Sequence, residues 1–189
     1  MSRAAVLFSG GKDSVYATYI AQQQCMDIET ALTIIPSDTD SHMFHVPNIR
    51  FASVISSAMG LPSVTIEVGG HREEIDVLGD AIDLLRVDTV VTGAIASDYQ
   101  ATRIDRLCHD DRVRVYSPLW HKDQEMLLRE MICAGFRIVV VGVFAEGLGQ
   151  VWLGRELDLD ALEALIRISE KRKIHIGGEG GEIETIVLD

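Results

Sequence analysis

The chain has 189 residues, 47% of them hydrophobic and only 6% aromatic, which suits one α/β domain with a small lobe and a sizeable core. A formal net charge of −12 argues against a broad phosphate-neutralising surface, so nucleic acid is not expected as a partner and the substrate is a small molecule or a protein. Cys25, Cys108 and Cys133 lack CxxC spacing and read as reduced thiols; with no signal-peptide pattern and no apolar run of about 18 residues, a cytoplasmic protein with no membrane association is expected.

In chain order, the apolar run 4–8 predicts a strand, followed by Ser9-Gly10-Gly11-Lys12-Asp13-Ser14 and a helix over 13–24. Strand, glycine turn and helix in that order suit an anion. Two glycines allow a tight turn and close approach of the backbone, and the first helical N–H groups point outward at the positive end of the helix dipole. Lys12 adds a mobile cation, Ser9 and Ser14 add hydroxyls, and Asp13 is suited to hold a magnesium ion between phosphates. The spacing is not that of Walker A, GxxxxGK[ST].

Val15, Tyr16, Tyr19 and Ile20 recur at helical spacing and predict the face of this helix that meets a sheet. The run 31–35 reads as a second buried strand ended by Pro36, with a polar loop over 36–40 where open α/β sheets place ligands. A helix over 48–59 closed by Gly60, a strand over 63–67, a helix over 73–85 and a strand over 89–92 follow. The fourth strand runs into residues 93–100 at the expected ligand cleft. A fifth strand over 113–116, a helix over 123–133 and an apolar run 136–144 that closes the sheet or begins another complete the alternation. Such alternation implies a parallel sheet covered on both faces.

Beyond Gly147 the pattern changes to an amphipathic acidic stretch, 157–168, and a charge run, 170–173. Four glycines and three glutamates within 177–184 mark a special backbone path rather than core, and apolar Ile186-Val187-Leu188 after them argues against a frayed tail. His45 before a helix and Trp120 are as well explained by packing as by ligand contact. His42, His45, His71, His109, His121 and Cys108 show no metal-site spacing, so no structural zinc is expected.

The motif SGGKDS after the first strand resembles the pyrophosphate loop of the PP-loop ATPases, which split ATP between its α- and β-phosphates. With GAIASDYQ at 93–100 and EGGEIET at 179–185, the resemblance narrows to the diphthine–ammonia ligase family. Met43-Phe44-His45-Val46-Pro47-Asn48 and Ser117-Pro118-Leu119-Trp120 look like the same family, so the resemblance covers essentially the whole chain. Two positions depart from it: Ile183 stands where an aromatic residue is common, and Ala101-Thr102 follows Gln100 where an arginine is frequent.

The resemblance implies an α/β, Rossmann-like doubly wound, mainly parallel sheet of PP-loop type over residues 1–145, with a small C-terminal substrate-binding region over 146–189. It implies amidation of diphthine, the modified histidine of translation elongation factor 2, with ATP, Mg2+ and ammonium, releasing AMP and pyrophosphate. Lys12, Asp13 and Ser14 would be catalytic, with Asp13 on the metal. Ser9, Gly10, Gly11, Leu32 and Gly93 would join them around the nucleotide, with adenine near residues 32–34 and the ribose or α-phosphate near Gly93; since open α/β sheets bind ligands where the strand order reverses, strands one, two and four would then be neighbours. Asp98, Tyr99, Gln100, Glu179, Gly180, Gly181, Glu182, Glu184 and Thr185 would meet diphthine, whose trimethylammonium suits carboxylates or an aromatic face. A homo-oligomer is left open. The rival readings are another PP-loop adenylating enzyme, acting on transfer RNA or a small molecule, and a non-catalytic nucleotide sensor.

Overall fold

The computed structural model describes residues 2–36, 49–69 and 72–189. The aliphatic run Arg3–Leu7 forms β1, Lys12–Gln23 forms α1, and Asp27–Ile35 forms β2. A 3-10 turn, Ile49–Phe51, leads into α2, Ala52–Ala58; β3 is Ser63–Glu67, α3 Glu74–Leu85, β4 Thr89–Val91, α4 Asp98–Asp110 and β5 Arg114–Tyr116. Their strands form one sheet of order β3-β2-β1-β4-β5 in which every ladder is parallel. The expected adjacency of strands one, two and four is therefore met, with β1 central.

Hydrophobic burial explains the layering. Leu32, Ile34 and Val90 from the sheet pack with Val77, Leu78 and Ile82 of α3 and Ile104 and Cys108 of α4. No residue of α1 or α2 belongs to that core, as expected when right-handed crossovers put the helices before and after the strand-order reversal on opposite faces. Burial pushes the Cys108 thiol up to about 12, with Asp111 and Asp105 adding to the effect, so it behaves as a small apolar side chain. Cys25 and Cys133 are exposed free thiols.

Three readings change locally. Val15 and Tyr16 are buried in α1 as expected, together with Ala17, Thr18 and Ala21, while Tyr19 is exposed and stacks with Tyr16 at 6.0 Å between ring centroids. The small residues let α1 lie close to the sheet. β2 begins at Asp27, four positions before the apolar run, because its polar start still pairs with β1 at Arg3. The expected helix over 48–59 is split into the 3-10 turn and the short α2. The motif 43–48 with His45, the loop 37–40, His42, Gly70 and His71 lie outside the described residues.

The chain divides into two compact units between Trp120 and His121, rather than after residue 145. The reason is strand pairing. α5 is Gln124–Cys133, β6 Ile138–Val143, α6 Leu159–Arg172 and β7 Ile183–Val187. β6 pairs antiparallel with β7 in a separate two-stranded sheet, so the apolar run 136–144 begins a second sheet instead of closing the first. Ile138, Val140, Leu162, Leu165, Ile183 and Val187 are buried in this second unit. Among the described residues no helix is long and apolar enough to cross a membrane.

Candidate functional site

The crossover from β3 to β4 carries the chain to the other side of β1, so the strand order reverses at the β1/β4 boundary. Open α/β sheets bind ligands at the carboxyl ends of strands at such a point. Residues 9–11 leave β1 there and residues 92–97 leave β4 there. Gly93 brings the two together: a Cβ on it would lie 2.8 Å from Asp13 C and from Ser14 N, so only glycine lets the β4 exit touch the first turn of α1. Gly93→Ala is expected to cost roughly 1–3 kcal/mol through overpacking, lowering the melting temperature and weakening ATP binding together. Unchanged nucleotide affinity in a titration of that variant would contradict this.

The turn itself is braced from within. Gly10 adopts φ +78°, which favours glycine, and a Cβ there would lie 2.6 Å from Ile55 Cδ1, so that side chain would have to shift. Ser9 Oγ accepts from Gly11 N–H at 3.3 Å, and Ser14 Oγ donates to the Gly11 carbonyl at 3.0 Å. Both expected hydroxyl donors thus hold the loop's shape in this state. Gly11 is the N-cap of α1 and no side chain caps that helix end, which suits an anion as the capping group.

Lys12 is only 3% exposed, and its Nζ donates to Asp13 Oδ2 at 2.7 Å. Asp13 Oδ1 is buried with no hydrogen-bond partner among the described residues. A buried carboxylate oxygen in that condition is costly, and a cation arriving with phosphate would relieve it. The described residues hold no cluster of three or more His, Cys, Asp or Glu side chains able to form a metal site alone.

Leu32 is placed differently from expectation. It is 1% exposed, its carbonyl accepts from Phe8 N–H at 2.9 Å, and its side chain belongs to the core. A central strand of a parallel sheet buries both faces. The same holds for Ile34.

Asp98, Tyr99 and Gln100 form the first turn of α4 after the N-cap Ser97, whose hydroxyl accepts from Gln100 N–H at 3.4 Å. Tyr99 is half exposed, and Arg103 one turn on lies 5.3 Å from its ring centroid and donates to Tyr99 Oη at 3.0 Å. Arg103 also pairs with Glu73 at 2.7 Å, a hydrogen bond that holds the guanidinium above its ordinary pKa. Arg103 and Glu73 were not singled out by sequence reasoning. The i, i+4 spacing from Tyr99 was the available signal.

In the second unit, residues 177–182 form a folded loop and residues 183–185 enter β7. Glu182 closes the loop on itself: its Oε1 accepts from His175 N–H at 2.9 Å and its Oε2 from Gly180 N–H at 2.8 Å. Gly178 and Gly181 take positive φ, and a Cβ on Gly178 would strike the Ile183 carbonyl at 2.7 Å. Gln124 of α5 accepts from Gly177 N–H at 3.0 Å, a contact the sequence reading did not foresee. Contrary to expectation, the segment contributes to a core: Ile183 and Thr185 are buried because strand alternation turns 183, 185 and 187 inward, and Gly177 in the preceding turn is buried as well. Glu184 lies on the other face and Glu179 in the loop, both half buried.

Comparison with known proteins matches both units. The family model described as the diphthamide synthase N-terminal domain matches residues 2–115, and the diphthamide synthase C-terminal domain matches residues 123–189. A Danio rerio protein named diphthine–ammonia ligase is 34% identical, covering 99% of this chain and 82% of its own. Proteins of that name from Rattus norvegicus and Homo sapiens are each 32% identical, covering 99% of this chain and 79% of theirs.

Proposed function

The chain belongs to the diphthamide synthase family, and from that premise we propose that it amidates diphthine on translation elongation factor 2 with ATP and ammonium, through an acyl-adenylate. Its relatives are ATP-dependent ligases that make diphthamide. The observation that carries the reading to this chain is the uncapped start of α1, pressed against Gly93 at the strand-order reversal.

The chemistry follows from what a carboxylate lacks. Ammonia cannot displace an oxide leaving group, so the diphthine carboxylate oxygen first attacks the α-phosphorus and pyrophosphate departs. Ammonia then attacks the activated carbonyl carbon, AMP leaves, and a proton is lost to give the neutral amide. Backbone N–H groups at the start of α1 and the Lys12 ammonium would balance charge building on pyrophosphate. Mg2+ fits the donor set, since one carboxylate plus nucleotide phosphates and waters is its usual coordination, and Asp13 offers Oδ1. When bound, it would neutralise phosphate charge.

Asp98, Tyr99 and Gln100 are proposed to meet the diphthine side chain from the start of α4. Glu179, Gly180, Gly181, Glu182, Glu184 and Thr185 are proposed as its C-terminal binding segment. Glu182 and the buried Thr185 act here by shaping that segment, and Glu179 and Glu184 by supplying charge. Leu32, buried within β2, would serve the nucleotide only by supporting the end of that strand.

Multiple-turnover formation of pyrophosphate and AMP in equal amounts is expected only when diphthine-bearing elongation factor 2, ATP and ammonium are all present. Release of ADP and phosphate, or ATP binding with no turnover as for a nucleotide sensor, would overturn the reading.

A further inference from the structure

Gln124 is the first residue of α5, directly after an N-cap whose side chain already does the capping: Asp123 Oδ1 accepts from Met126 N–H at 2.9 Å. The Gln124 amide is therefore not spent on its own helix end. Its Oε1 accepts instead from Gly177 N–H at 3.0 Å, 53 positions further along the chain, and its Nε2 lies 3.5 Å from His175 Nδ1. Gln124, His175 and Ile176 also line an open groove of about 460 Å³, so this half-buried amide is not core filling.

The backbone it grips is the first of two linked turns. Gly178 N–H donates to the His175 carbonyl at 3.0 Å, and Gly181 N–H donates to the Gly178 carbonyl at 2.9 Å. Glu182 braces these turns from within, through His175 N–H and Gly180 N–H. Gln124 ties the first of them to a helix outside the loop. Gly177 is buried, and a Cβ on it would lie 3.1 Å from Gln124 Oε1 and 3.2 Å from Gln124 Cδ, so the missing side chain lets the amide lie against the turn.

We propose that Gln124 is a positioning residue for diphthine: by fixing Gly177 to the start of α5, it sets where residues 179–185 meet the substrate. Internal bonds can shape two glycine turns, but placing them on the unit takes an anchor from elsewhere. Glycine-rich backbone loses much conformational freedom when ordered, and an anchor made before substrate arrives spares binding that cost. The inference rests on the reading of the C-terminal segment as the diphthine-binding part of the enzyme.

The test measures KM for diphthine-bearing elongation factor 2, KM for ATP, kcat and melting temperature on the full chain. Gln124→Ala is expected to raise the diphthine KM by roughly three- to tenfold, the worth of one neutral hydrogen bond, and to leave KM for ATP unchanged. Gln124→Glu, which keeps an acceptor oxygen at that place, should recover most of the loss. Gly177→Ala pushes against the amide and should raise the diphthine KM by a smaller factor; in the Gln124→Ala background, where room for the new Cβ is open, it should add nothing. A role confined to holding the second unit together predicts a lower melting temperature and kcat with the diphthine KM unchanged, and that result would overturn the proposal. So would Gln124→Glu no better than Gln124→Ala, or effects of Gln124→Ala and Gly177→Ala that simply multiply. If Glu182→Ala impairs use of diphthine while Gln124→Ala does not, only the role of Gln124 fails. If neither does, the assignment of the C-terminal segment fails with it.

Discussion

Asp13→Asn is expected to lower kcat by about two to three orders of magnitude at saturating ATP and magnesium, the usual loss when one preorganised electrostatic group is removed from charge developing in a transition state. Asparagine keeps the volume and leaves an oxygen that can accept from Lys12 Nζ, now 2.7 Å from Asp13 Oδ2. What it removes is the negative charge, and with it the fit of the buried Oδ1 to a divalent cation. Lys12→Met should fall as far for the complementary reason, because the pyrophosphate would lose its cation. Alanine is a poorer probe at position 12. The lysine is buried to 3% exposure, so truncation would add a cavity and strand the Asp13 charge, mixing stability with catalysis. For Asp13→Asn the melting temperature should stay within about 4 °C, equivalent to roughly 1 kcal/mol in a domain of this size, whereas Lys12→Met leaves the Asp13 charge without its partner and should lose more. Turnover within a few-fold of the original enzyme in both variants would remove the catalytic assignment of the loop.

Glu182→Ala should abolish most diphthine amidation while leaving ATP binding intact. Its carboxylate accepts two backbone N–H groups, from His175 and Gly180, and hydrogen bonds to a charged acceptor contribute about 1.5–3 kcal/mol each. Losing both should release the loop whose glycine path presents Glu179 and leads into Glu184, for an expected drop in kcat/KM of about a hundredfold. Glu182→Gln, which retains one acceptor oxygen, should recover part of that loss, whereas a role in pure charge attraction predicts no recovery. Truncation after Gly177 would not separate these cases. It would delete β7 and with it the buried Ile183, Thr185 and Val187 that complete the second unit's core. Equal loss of ATP affinity and amidation in Glu182→Ala, measured by nucleotide titration beside turnover, would refute the division of labour.

The glycine turn and the βα rhythm were legible in the residues because each depends on local chemistry: glycine permissiveness, period-3.6 and period-2 burial, and β-branched runs between turn signals; the adjacency of strands one, two and four came instead from the rule that open α/β sheets bind ligands where the strand order reverses. Ser63–Glu67 is recovered with the same bounds, since Gly60 and Gly69 punctuate both sides of it. The C-terminal motif was legible as a special backbone path, and Gly178 and Gly181 at positive φ show why the glycines stand there.

Other features depended on partners distant in sequence. Leu32 reads equally well as a strand end near a ligand or as core, and only the placement of β2 between β1 and β3 buries it. The run 136–144 has a strand's composition whichever sheet it joins. Its pairing with residues 183–187 moved the unit boundary from 145 to 120, because hydrogen-bond ladders join segments that composition cannot match. Glu182 illustrates the same limit at the site. Three glutamates in eight residues announced negative charge, but which of them spends its oxygens on His175 and Gly180 is set by the loop's closure in three dimensions. The sequence by itself determined the local conformations and the chemistry on offer; the tertiary structure alone decided which groups that chemistry leaves available, since burial and hydrogen-bond partnership are properties of the neighbours and not of the residue.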